Sequence, residues 1–598
     1  MRQALSAVAG TVLGCVAMMR LKSAWATTHH YDAPAATSAS TSTTNAENTT
    51  HHYAAAASAT TAPSQPLHLL PPRPRWRRHH ALLADAYAWA KATVPYFECS
   101  DVDITTTYHY RWRVFHMHLK TTRRHGSVLT EFLRDVPWSG PYGTINCAHG
   151  HHAADGRWLR DPSILDNYSS FWFRHPKADL RYTWWPAWSA WERYRIDGRR
   201  SILATLYPHL CAEYGRWANR SYADEAKCAW QACHDDGEEN SIGLDGCRPT
   251  INAALHGEAT ALASISAMLG FESAASLYER EARRWQGALE TLWSAKLQFF
   301  VTRALPPPPG RRDDIQRRRT KVGCQYCTSK ACPPKWVRGA LVDVRELAGL
   351  SWPFYHRAAA AHHASAWRQL IEPDGFAAPW GVTTAERRHP CFNFSSWCQT
   401  SWNGPVWPFE SSKVATALLE SLHDPALRTA LRERAGVTPS HFHGVLATFA
   451  RMHTRGVADG AVTGAPFVGE SFHPTDGYWL SRRIMFQRHS GDRRRGDHYL
   501  HSSFADVVLS GLVGLHVVLE HSTAALVVEP LFAADQLSWF TSSAMRIRGR
   551  TVDVAYDRDG SHHAGLVGLA VWVDGKVAAH VPAIGRLVIP LAAEGSLV

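Results

Sequence analysis

Apolar residues recur at helical spacing over most of the chain, in blocks separated by polar, Gly- and Pro-containing stretches. Ala81–Val94, Trp188–Leu206, Ala253–Gly270, Ser273–Trp293, Ala340–Leu350, His356–Ile371, Pro408–Leu422, Ser440–Arg455 and Ser502–Glu520 read as helices on this pattern. Helices of this length joined by loops predict stacked helical hairpins. Near Ala525 the period changes from helical to alternating. Ala525–Val528, Arg546–Arg548, Thr551–Tyr556, Leu569–Val573 and Leu587–Ile589 carry β-branched alternation, and Asp574-Gly575 is a two-residue hairpin signal. The pattern predicts a helical domain over residues 76–523 and a small β-domain over 524–598.

The N-terminal segment follows neither period. Ala4 to Met19 is a short apolar run behind Met1-Arg2, and Ala24-Trp25-Ala26 after it has the small-x-small form of a cleavage site. Residues 1–26 therefore read as a signal peptide, and no stable membrane span is expected once it is removed. Residues 27–75, rich in His, Thr, Ser and Ala, read as a disordered spacer. Sequons at Asn48, Asn167, Asn219 and Asn393 agree with a secretory route, so a secreted or lumenal location is expected. Of 12 Cys, Cys15 lies in the leader, and some of the rest should pair in an oxidising compartment.

Composition adds two points to this picture. The 598 residues include 25 Trp and 19 Tyr, side chains that stack on sugar rings as well as fill cores. The formal charge of +12 raises the question of nucleic acid, but Arg123-Arg124, Arg317-Arg318-Arg319 and Arg493-Arg494-Arg495 are dispersed in loop-like sequence, and no nucleic-acid-binding signature accompanies them. No nucleic-acid partner is expected. Cys324, Cys327 and Cys332 lack a convincing fourth ligand, so no metal is assigned to them. No phosphate loop or dinucleotide fingerprint occurs.

Chemistry concentrates in three stretches. His234 to Asn252 packs five carboxylates (Asp235, Asp236, Glu238, Glu239 and Asp245) into eleven residues, with glycines among them, immediately before a helix. Crowded carboxylates raise one another's pKa, which suits a general acid. Ser401-Trp402-Asn403-Gly404-Pro405-Val406-Trp407-Pro408 sets two Trp around a Gly-Pro turn, the pattern of a sugar-stacking platform with an amide beside it. Phe467-Val468-Gly469-Glu470-Ser471-Phe472-His473-Pro474 places one acid among aromatic neighbours.

On these stretches the chain resembles the mannosylglycerate hydrolase and glycoside hydrolase family 63 group of inverting α-glycosidases, from about Tyr108 onwards. The resemblance implies a mainly α fold: an (α/α)6 toroid of the six-hairpin glycosidase type, with a small C-terminal β-sandwich. It implies a general acid at Glu239, where the family has Asp, and a general base at Glu470. Asp236, Glu238 and Asp245 are rivals for the acid. Trp402 and Trp407 would stack on the sugar, and Arg248, Asn252, Asn403 and Gly404 would complete its binding site. No metal or organic cofactor is required by this two-carboxylate mechanism. The expected function is an exo-acting α-mannosidase or α-glucosidase with a carbohydrate substrate. The alternative is a catalytically inactive carbohydrate-binding protein on the same fold.

Overall fold

Helices begin where the chain supplies a proline in the first turn. Pro186, Pro249, Pro408, Pro425 and Pro439 each open a helix, at a position where the missing N–H leaves no bond unmade. The structure, a computed structural model, describes residues 69–223, 226–238, 241–308, 337–350, 361–394, 402–459, 464–488, 491–520, 523–563 and 565–591. The chain divides into two units, Met1–Leu69 and Leu70–Val598, and all but Leu69 of the described structure belongs to the second.

That unit is mainly helical, with a few small sheets. Helices Pro249–Leu269 and Glu272–Glu290 form an antiparallel hairpin about Gly270, whose φ of +85° ends the first helix in the left-handed conformation. Pro408–His423, Pro425–Ala435 and Pro439–Arg455 follow one another along the chain, and the first packs on both of the others. The Asp424 carboxylate caps the second of these by accepting from the N–H groups of Ala426 and Leu427.

Several elements differ from the sequence expectation. Trp188–Leu206 is not one helix but parts of two, Pro186–Asp197 and Arg200–Ser221, divided at Gly198 with φ of +70°. Of Ala340–Leu350 only the 3-10 turn Leu347–Leu350 is helical. The expected helix His356–Ile371 lies partly outside the described residues, and its described part, Ala361–Leu370, is a 3-10 segment. Ser502–Glu520 breaks after a short helical stretch ending at Leu512 and becomes the strand Leu515–Glu520, which follows Gly514. The helix Val102–Met117 lacks a clean apolar stripe because its polar positions are also buried and paired inside the protein. Arg111 donates to Ser502 Oγ at 2.8 Å, and His109 contacts the Phe97 carbonyl at 2.9 Å.

The alternating sequence near the C-terminus does form strands. Leu515–Glu520, Thr523–Val528 and Leu587–Leu591 make one antiparallel sheet. Trp539–Ile547, Arg550–Asp557, Gly568–Val573 and Lys576–Val581 make a second, and Tyr96–Cys99 from the other end of the unit completes its edge. Asp574 and Gly575 both have positive φ, as the turn signal requires. Among the described residues no helix is long and apolar enough to cross a membrane.

Candidate functional site

The acidic loop is held at its base by a short sheet and a disulfide. Cys228–Gln231 pairs with Gly246–Cys247, which pairs in turn with Arg303–Ala304, and Cys228 is bonded to Cys247. Gly246 has φ of +157°, and a side chain there would strike the Arg303 carbonyl. Asn252, one helical turn beyond Arg248, closes this base. Its Oδ1 accepts from Ala229 N at 2.8 Å, and its Nδ2 donates to the carbonyls of Ala229 and Arg248. The Asn252 amide, expected from sequence at the sugar, here bonds to backbone through both its oxygen and its nitrogen.

Arg248, the other polar residue expected at the sugar, is also engaged within the loop. Its side chain is 1% exposed and its guanidinium is spent inside the loop. Nε donates to Asp236 Oδ2 at 2.5 Å, one terminal nitrogen to the Leu244 carbonyl at 2.6 Å, and the other to Glu238, with Glu346 at 3.4 Å. Asp236 also accepts from Thr250 and, at 3.2 Å, from Thr183. Arg248 is the hub that ties the acidic loop together. Asp245 is half-buried at the turn. Glu239 lies outside the described residues.

Trp402 and Trp407 stack at 4.0 Å with 16° between their planes, and Trp407 stacks on Phe409 as well, at 4.6 Å. Trp407 Nε1 donates to His501 Nε2 at 2.9 Å. The two Trp, expected from sequence to stack on the sugar, are 1% and 5% exposed. Trp407 is stacked between Trp402 and Phe409, so the pair braces the loop. Gly404 lets that loop lie flat: a Cβ there would stand 2.9 Å from the Asn393 carbonyl oxygen. Asn403 stays available, since its buried Oδ1 has no hydrogen-bond partner among the described residues.

This braced loop touches both acidic stretches. Gly237, with φ of +78°, sits so close to the Trp407 ring that a Cβ would meet it at 3.2 Å. On the other side Val406 and Phe472 exchange backbone hydrogen bonds of 3.0 and 2.9 Å. Glu470, two residues before Phe472, is 7% exposed. Its N–H donates to Ser481 Oγ at 3.1 Å, and its charge helps to raise the pKa of Tyr499, an effect due first to burial and then to Glu131. The Tyr499 ring contacts His501, the partner of Trp407.

Sequence reasoning missed Glu410, Lys413 and Glu346. Glu410 is fully buried in the first turn of Pro408–His423 and pairs with Lys413 at 2.6 Å, while its Oε2 has no hydrogen-bond partner among the described residues. Burial raises its pKa against the pull of Lys413. Burial likewise raises the Glu238 carboxyl well above the carboxylate range; Arg248 opposes this, and Glu346, Glu410 and Asp236 add to it. Four carboxylates (Asp236, Glu238, Glu346, Glu410) thus face two cations (Arg248, Lys413). The signal in the sequence was an acid and a lysine at i, i+3 in the first turns of a helix whose continuation, Val414 to Leu419, is mostly apolar.

A mainly helical protein with buried, mutually perturbed carboxylates beside an aromatic loop belongs to the class of helical glycoside hydrolases. The family model for the mannosylglycerate hydrolase MGH1-like glycoside hydrolase domain matches residues 141–502, and the chain belongs to that family. Among solved structures it is similar to one described as a sialidase, with a TM-score of 0.71 and 28% identity over 89% of this chain and 43% of that one. The chain thus spans less than half the length of that relative. It also matches an uncharacterised conserved protein from Thermus thermophilus (TM-score 0.44, 13% identity, 67% of this chain and 97% of that one). A further match is a GH63 mannosylglycerate hydrolase from the same organism in complex with glucose (TM-score 0.33, 13% identity, 74% and 94%). No curated protein matches.

Proposed function

We propose that this glycoside hydrolase domain is an inverting, exo-acting α-glycosidase for an α-mannoside or α-glucoside, with its helices arranged as an (α/α)6 toroid and its C-terminal strands as a β-sandwich. The observation that carries the reading is the double contact of the Trp402–Trp407 loop, with Gly237 of the acidic loop on one side and with the Glu470 stretch on the other. Two carboxyl-bearing segments far apart in sequence are thereby pinned to one scaffold. In this mechanism a carboxylic acid protonates the leaving glycosidic oxygen. A carboxylate takes a proton from water as that water attacks the anomeric carbon from the opposite face, and the sugar leaves with inverted configuration. Glu470 is assigned as the base. Asp236 and Glu238 are tied to Arg248, so the acid role is assigned to Glu239. Asn403 Oδ1 is a buried acceptor suited to a sugar hydroxyl. The leader and sequons are the basis for proposing a secretory route.

The test is a panel of α-mannosides and α-glucosides, with the first-formed anomer read by NMR. Glu470→Gln should abolish turnover of activated and unactivated substrates alike while binding persists. Glu239→Gln should spare aryl glycosides with good leaving groups by roughly 10²-fold relative to disaccharides. If Glu238→Gln shows that sparing pattern instead, Glu238 is the acid. Binding without turnover across the whole panel would favour the inactive sugar-binding alternative, and a retained anomer would overturn the inverting assignment.

A further inference from the structure

A second chemically competent cluster stands apart from the acidic loop, the Trp loop and the Glu470 stretch. Glu290 is the last residue of helix Glu272–Glu290, and His362 and His363 open the 3-10 segment Ala361–Leu370. One ligand atom from each of these three side chains lies within 4.8 Å of the other two. His363 is buried, whereas Glu290 and His362 are exposed, so the group opens to water on one side only. Rings of an intervening hairpin form its floor: Trp293 packs on His363 at 4.6 Å and on His362 at 5.9 Å, and Phe300 packs on His363 at 4.7 Å.

We propose that Glu290, His362 and His363 bind a divalent transition metal of the zinc type. Two imidazoles and one carboxylate are the ligand types that zinc prefers, and three protein ligands leave a fourth position for water. The spacing fits. Metal–ligand bonds of about 2.0–2.1 Å at tetrahedral angles set neighbouring ligand atoms about 3.3 Å apart. His363 Nε2 and Glu290 Oε2 already stand 3.2 Å apart. The remaining ligand, His362, is on the exposed side, where a rotamer change brings its ring nitrogen inward without disturbing the core. Calcium and magnesium, which require several oxygen ligands, do not suit this set. The ion would strap the C-terminal end of one helix to the start of Ala361–Leu370, closing the Trp293–Phe300 hairpin between them. It takes no part in the two-carboxylate reaction, so the proposal stands or falls independently of the catalytic assignment.

The chain also carries His29, His30, His51 and His52 near its N-terminus, and imidazole is a general metal ligand, so the experiment must separate other histidines from this cluster. Full-length protein stripped with chelator is compared with Glu290→Gln and His362→Ala, both at exposed positions and therefore compatible with folding. Zinc should raise the melting temperature of the parent in a concentration-dependent way, because a ligand held only by the folded state stabilises it. Both variants should melt like the parent without metal and lose the zinc-dependent rise, together with one equivalent of bound zinc. Cobalt titration should give tetrahedral absorption bands in the parent alone. Equal zinc uptake and equal melting shifts in parent and variants would place the binding elsewhere in the chain and overturn the proposal. Absence of any zinc-dependent shift in the parent, or a shift with magnesium but not zinc, would overturn it too, leaving Glu290 and His363 as a close side-chain contact and nothing more.

Discussion

Replacing Arg248 by Met separates a scaffold role from a sugar-binding role. The guanidinium is 1% exposed and makes charge-assisted bonds to Asp236 and Glu238, a longer contact to Glu346 and a bond to the Leu244 carbonyl. Hydrogen bonds to charged groups contribute about 1.5–3 kcal/mol each, and removing one partner of a buried charge pair costs about 3–5 kcal/mol because the other charge stays buried. Two strong contacts and one weak one put Arg248→Met at about 4 kcal/mol, measured as a fall in the denaturant midpoint at unchanged slope. Proton uptake shapes the pH dependence. Burial holds the Glu238 carboxyl well above its ordinary range, and Arg248 is the principal influence opposing that rise. Without Arg248 the folded-state pKa climbs further above the unfolded one. The folded variant then binds more protons than the unfolded chain throughout that widened window, and stability falls as pH rises across it. The deficit against the parent should therefore be smallest below the ordinary carboxylate range and grow towards neutral pH and beyond. Activity should fall with the folded fraction, with KM for the remaining folded enzyme near the parent's. An unchanged midpoint combined with a raised KM would refute the scaffold argument and return Arg248 to the sugar.

Three other changes probe the same framework. Asn252→Ala leaves the Ala229 N–H and C=O buried without partners and should cost about 2–4 kcal/mol in urea unfolding, with kcat of the folded enzyme little altered. The double change Cys228→Ser and Cys247→Ser opens a loop of 19-residue separation; chain entropy sets the loss at about 3 kcal/mol, and reductant should reproduce it in the parent but leave the variant unmoved. Gly404→Ala drives a Cβ to 2.9 Å from the Asn393 carbonyl oxygen and 3.0 Å from the Phe392 ring, so about 1–3 kcal/mol and a fall in kcat are expected; full activity would show that the turn is not held as tightly as the contacts indicate.

The sequence was legible where local signals and global packing agree. The helices Pro249–Leu269, Glu272–Glu290, Pro408–His423 and Pro439–Arg455 carry both apolar periodicity and terminal punctuation, and each stands within a few residues of expectation. Val102–Met117 was opaque because burial on every side erases the polar face that periodicity needs. Ser502–Glu520 misled because Val, Leu and Gly in a buried run fit a helix and a strand equally well until Gly514 decides. At the candidate site, residue types singled out three stretches that the fold brings into contact, but not the bonds each side chain makes there. Arg248 and Asn252 are polar, near the acids and flanking a helix start, which is what a sugar ligand looks like in one dimension. Only the third dimension shows their hydrogen-bonding capacity already filled. Glu410 went unseen for the converse reason: a lone acid in a helix start reads as a dipole partner, and its unpaired Oε2 is a property of packing.

The acidity of the loop from His234 onward acquires a physical explanation from this arrangement. Asp236, Glu238, Glu346 and Glu410 outnumber Arg248 and Lys413 by two in a buried volume, a charge imbalance that low-polarity surroundings make expensive. Glu238 and Glu410 are both shifted upward, each first by its own burial, a direction that favours the protonated form and works against the imbalance. Arg248 is engaged with Asp236 and Glu238 inside this cluster. Any further carboxyl presented beside such a cluster meets the same residual negative field and is pushed in the direction a general acid needs, towards holding its proton at neutral pH. The residues that fix the loop's shape are thus also those that set its proton affinity, so no substitution at Arg248 can disturb one and spare the other.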